Sequence, residues 1–232
     1  MTVNPQFFNS FWLMLGAAAY GWVLLKAVRT AQWWRLRNPT DVNVLFNAMV
    51  GVSLFWLMNT DFQDSQAFVG PTLHLLGATL MTMMFGWAFA VLAMSVVLLA
   101  YTLINAPSVS DSLFTLPWDA LATIVLPVFI SYQLFRLVDQ RLPNNFFIYI
   151  FVCAFFSAAL AIAGVIFATT GIHYLSGAYS LEKLSYGYLP YGLILMFPEA
   201  FLTGMLMSIF VVYRPQWVST FDDNRYLRKR EQ

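Results

Sequence analysis

The chain offers few groups for chemistry: two histidines, one cysteine and a small set of carboxylates in 232 residues. His74 follows Pro71 and shares a helical face with Ala78 and Met81, by the 3.6-residue period. His173 closes a long apolar run, Asp119 opens another, and Glu199 follows Pro198 about twelve residues into the last one. Together with the α-amino group of Met1, the imidazoles and Asp119 form a mixed nitrogen and oxygen donor set. Such a set suits a borderline divalent transition metal. Their spacing carries no local metal signature, so the set rests on composition and on the topology below, which puts Met1, His74, Asp119 and His173 on one side of a membrane. The structural alternative for each histidine is a hydrogen-bonded core residue.

Glu199 is the one carboxylate at mid-depth of an apolar run, where an ionisable group is costly. It must be neutral, be paired with a cation, or accept hydrogen bonds from the amides of a broken helix. It reads either as a carboxyl that locks the kink at Pro198 or as part of a transport path, with Met196, Thr203 and Met207 on roughly the same face. Cys153, within an apolar run, reads as a small buried hydrophobe. No His-Glu-x-x-His, Gly-x-Ser-x-Gly or phosphate-binding glycine loop is present, so no enzyme is expected and any ATP hydrolysis belongs to a separate chain.

The elements that must position these residues are membrane helices. Hydrophobic residues make up 60% of the chain and charged residues only 10%, against about 25% in soluble domains. A soluble enzyme is excluded. The net charge of +1 gives no basic stripe for nucleic acid, and the partner implied by composition is the lipid bilayer. Uncharged runs predict an all-α polytopic bundle of about seven transmembrane helices at roughly 7–25, 42–60, 67–85, 87–105, 116–138, 145–172 and 187–213. The whole chain, 1–232, is one integral membrane domain, with 214–232 as a short tail. No cationic region precedes the first apolar run, which is read as a retained span. The third and fourth runs are broken only at Phe85-Gly86-Trp87. One helix through both would be about twice the bilayer thickness, so a hairpin turning at Gly86 is expected.

Orientation follows from the loop cations. Lys26, Arg29, Arg35, Arg37, Arg136, Arg141, Arg214, Arg225, Arg228, Lys229 and Arg230 fall on one side of a seven-span topology, and Lys183 alone falls on the other. Cytoplasmic loops are the cation-rich ones, so the N-terminus is expected outside and the C-terminus in the cytoplasm. Small residues four apart mark sites of close helix approach or docking: Ala17 with Gly21, Ala159 with Ala163, and Ala200 with Gly204 and Ser208. Internal packing is the favoured reading of these stripes.

The run from Pro71 to Trp87, PTLHLLGATLMTMMFGW, resembles the segment in which CbiM-like energy-coupling-factor permeases place a histidine before a glycine-containing helix and turn. The segment Phe197-Pro-Glu-Ala-Phe-Leu-Thr-Gly-Met-Leu-Met207, with Tyr213-Arg-Pro-Gln-Trp217 and Phe221-Asp-Asp-Asn-Arg-Tyr-Leu227, is similar to the C-terminal signature of a proteobacterial branch of that family. The resemblance covers most of the chain. It implies a substrate-capture component for cobalt or nickel in the bacterial inner membrane, working with a transmembrane coupling subunit and ATPase subunits. Metal-binding members hold the ion with the N-terminal amine, a second-position histidine and the third-helix histidine. Carried over, only Met1 and His74 match, and Thr2 stands where the histidine would be. A chain that lost that ligand would instead serve as a non-transporting accessory or assembly subunit of a larger membrane complex.

Overall fold

The computed structural model describes residues 10–57, 74–105, 109–222 and 226. Among them there are seven helices and no strand: α1 (Ser10–Thr30), α2 (Pro39–Leu57), α3 (Ala78–Asn105), α4 (Val109–Arg141), α5 (Phe146–Leu175), the short α6 (Leu181–Gly187) and α7 (Leu189–Tyr213). All except α6 are long and apolar enough to cross a membrane, which makes six such helices where seven spans were expected. The difference lies in the third run. Of 67–85, residues 67–73 fall outside the described set, His74 to Gly77 are extended, and helix begins only at Ala78.

The chain does reverse at Gly86. That residue interrupts α3 with φ 80° and ψ 165°, a conformation open essentially to glycine alone. The rings of His74 and Tyr101 lie 6.4 Å apart. Residues so far apart in one continuous helix would be separated by about 40 Å. The arm before Gly86 therefore folds back along the arm after it. Four extended and eight helical residues, His74 to Phe85, make a pass of about 25 Å, close to the hydrocarbon thickness.

Local chemistry sets the other boundaries. The Asn145 side chain accepts from the Phe147 amide to start α5, and Ser180 caps α6 through Lys183. In α4 a π turn at Leu121–Val125 immediately precedes Pro127, whose missing N–H interrupts the helical ladder. A second π segment, Tyr149–Phe156, lies in α5 and carries Phe155, which packs on Gly204. Gly192 meets Ile166, so α5 and α7 run antiparallel with glycine in contact at both levels. Ala200 is fully enclosed there. The Ala17 and Gly21 stripe behaves otherwise: Ala17 is exposed and nothing approaches Gly21. The close approach on α1 is made one residue earlier, at Gly16, where a Cβ would fall on the Trp118 indole. Internal packing is thus corrected for that stripe, because the contact with α4 follows the face of Trp12 and Gly16.

The cation-bearing segments meet at one end of the bundle. Lys26 of α1 and Arg136 of α4 line one cavity. Beyond α7, the Ser219 amide donates to the Met84 carbonyl at 2.9 Å and the Thr220 hydroxyl to the Met83 carbonyl at 2.7 Å. This holds the tail against the Gly86 turn. Tyr226 reaches Asp139 near the end of α4.

Candidate functional site

The extended residues before α3 form the center of the site. Glu199 projects from α7 into the bundle, 4% exposed, and its two carboxylate oxygens accept the amides of Leu76 and Gly77, each at 2.8 Å. Free N–H groups at the start of a helix need acceptors, and the Glu199 carboxyl supplies one to each of these two. Gly77 adopts φ 67°, which turns its amide toward Glu199 while its carbonyl accepts the Met81 amide and opens α3. On the other face, the Trp56 indole N–H donates to the Leu76 carbonyl at 3.2 Å. The Leu76 peptide is therefore held from α7 by one group and from α2 by another.

His74 sits at the start of this clamped segment. It is buried, with its ring 4.9 Å from that of Trp56 and 6.4 Å from that of Tyr101, and its Nδ1 lies 3.2 Å from the Leu75 carbonyl. If Nδ1 carries the proton, that contact leaves Nε2 with its lone pair, the arrangement a histidine ligand uses. The aromatic rings fix the plane of the imidazole, and the clamp fixes its backbone.

The other candidates lie apart from it. Asp119 is buried in α4 beside Trp118, whose indole donates to the Trp12 carbonyl. By the antiparallel register of α5 and α7, Glu199 is level with residues near 160, so His173 is about 20 Å further along the axis. Its ring packs edge-on against Tyr179 at 5.6 Å, and both ring nitrogens are buried with no hydrogen-bond partner among the described residues. Among those residues no three of His, Cys, Asp and Glu converge as a metal-binding group. Met1 and Thr2 lie outside the described residues, as does Pro71. Sequence reasoning missed Trp56, Tyr101 and Gly77. Gly77, three residues after a candidate ligand, was the one available signal.

Residues 3–217 match the family model CbiM, described as the cobalt uptake substrate-specific transmembrane region. No curated protein matches the sequence significantly. Two crystal structures are similar in fold. One, of a truncated transition metal transporter, superposes with a TM-score of 0.70 at 16% identity, over 92% of this chain and 99% of that one. The other, of a transition metal transporter, gives 0.67 at 17% identity, over 90% and 92%.

Proposed function

The chain belongs to the CbiM family, and from that membership we propose that it is the multi-pass membrane component that captures a divalent transition metal, nickel or cobalt, for uptake. The family is one of transport components, not of enzymes. In this reading the protein sits in the bacterial inner membrane with the N-terminus outside and the cation-rich end in the cytoplasm. It takes the ion from the outer side and releases it inward when coupled to a transmembrane subunit and to ATPase subunits on separate chains.

The observation that supports a metal role for this chain is the immobilised imidazole of His74. It occupies the third-helix position at which the family resemblance expects a ligand, on a segment fixed by Glu199 and Trp56. A pre-set donor loses little freedom on binding. Met1 would supply the amine. In this reading His74 and Met1 are the metal ligands, and Asp119 and His173 are polar-core residues.

Thr2 favours a second reading, in which the chain keeps the fold but serves as an accessory subunit of a larger membrane complex. Isothermal titration of the purified protein and of His74→Ala with nickel, cobalt and zinc separates the two. Uptake predicts binding that the substitution abolishes. Equal binding by both proteins would remove His74 as a ligand, and no binding by either above micromolar levels would favour the accessory role.

A further inference from the structure

The cavity of about 460 Å³ between α1, α4 and the return arm of α3 has no part in the metal site. Its rim carries two cations, Lys26 and Arg136, and no carboxylate lines it. Each cation lies over an aromatic ring one helical turn away: Lys26 Nζ is 5.1 Å from the Trp22 ring and the Arg136 guanidinium 5.9 Å from the Tyr132 ring. Such contacts orient a cation without neutralising it. Neither has an ion pair among the described residues, whereas Arg35 is paired with Asp41. The nearest acid along α4, Asp139, takes the Tyr226 hydroxyl.

Deeper in the cavity the lining turns apolar. Val125 and Phe129 lie two to three turns before Arg136 on α4, and Val91 faces them from α3. Phe129 is largely exposed, so the cavity opens sideways along the helices. Two uncompensated cations at the charged end of the bundle, above an open apolar furrow, match one molecule available to a membrane protein at that depth.

We infer that this cavity binds an anionic phospholipid, with its phosphate between Lys26 and Arg136 and an acyl chain along Val125 and Phe129. Basic pockets between helices on the cytoplasmic side take headgroups of this kind, and each cation contributes on the order of 1 kcal/mol, about fivefold in affinity. The site is independent of the metal reading. It would tie α1 to α4 at the end where Gly86 and the tail also meet.

The test is native mass spectrometry of the full-length protein, purified in mild detergent and offered equal phosphatidylglycerol and phosphatidylcholine. The wild type should retain phosphatidylglycerol preferentially. Lys26→Ala with Arg136→Ala should lower that retention by about 25-fold, following the same per-cation contribution. Gln133→Glu, which puts a carboxylate into the same exposed rim, should lower it as well, while Arg29→Ala, at the same end but outside the cavity, should not. These four positions are exposed, so the variants should fold. Equal retention by the wild type and the double variant would overturn the inference. So would an equal loss in Arg29→Ala, which would mean nonspecific attraction to the basic end. Displacement by millimolar inorganic phosphate would assign the cations to a free anion and overturn the lipid. Retention of neither lipid, with binding of an acidic partner subunit lost in the double variant, would assign the cavity to a protein.

Discussion

The carboxylate of Glu199 and the amide of Gly77 are 122 residues apart in sequence and 2.8 Å apart in the fold. That bond joins the middle of the last helix to the first turn of α3, and its twin to Leu76 makes the attachment two-pronged. Each carboxyl oxygen accepts one of the two converging N–H groups, so both amides are satisfied by one side chain. The clamp helps four extended residues persist within a helical bundle: the Leu76 and Gly77 amides and the Leu76 carbonyl are all satisfied by side chains.

Glu199→Ala should therefore leave two buried amides without acceptors, at about 1–3 kcal/mol each. Glu199→Gln should cost less, because its carbonyl keeps one bond while its NH₂ group faces the other amide. Equilibrium unfolding of the three proteins in detergent ranks them. Wild-type stability in the alanine variant would show that the clamp contributes nothing. In metal titrations both variants should bind more weakly than the wild type if the clamp positions His74.

Gly77→Ala should destabilise the protein through its backbone. The residue is held at φ 67°, which costs an L-residue roughly 1–2 kcal/mol, and its Cβ would meet Val52 Cγ2 at 3.1 Å. Val52→Ala in the same chain should restore only the steric part. A double variant as stable as Val52→Ala alone would show that φ carries no strain.

Much of this was legible in the sequence, and the reasons differ by residue. Gly86 announced a break because one helix through both runs would overshoot the bilayer, and the fold reverses there. Glu199 announced a need for a partner because a carboxylate at that depth is costly. Its partners were illegible, since backbone amides leave no mark in the side-chain sequence and the α3 start is remote. The start of the third run misled because apolar composition does not distinguish extended residues from helical ones, and Gly77 was read only as a helix residue. The Ala17 and Gly21 stripe failed because spacing gives the face of a helix but not which neighbour lies against it. The π segments had no signal beyond Pro127 in α4, and none in α5.

Topology is tested by labelling single cysteines in a Cys153→Ala background, which removes the one native thiol. Cysteines at Arg228 and Ser219 should react only after the cell membrane is made permeable, because eleven of twelve cations then face the cytoplasm. A cysteine at Ser10 should react in intact cells. External labelling at Arg228 would invert the assignment and, with it, the side from which His74 is reached.

Trp56 and Glu199 hold the same peptide, so their effects should not add. Trp56→Phe keeps an aromatic ring against His74 and Tyr101 but removes the donor to the Leu76 carbonyl, at a cost of about 0.5–1.5 kcal/mol. Once Glu199→Ala has freed the Leu76 amide, that peptide is displaced and Trp56 has less to hold. The double variant should then lose less stability than the two single losses combined, by a coupling no larger than the Trp56→Phe loss itself, up to about 1.5 kcal/mol. Metal affinity should follow the same pattern, since Trp56→Phe keeps a ring against His74 and the two lost hydrogen bonds act on His74 through the segment that carries it. Strict additivity in both measurements would mean that the two groups stabilise separate parts of the bundle, and His74 would then owe its position to its aromatic neighbours alone.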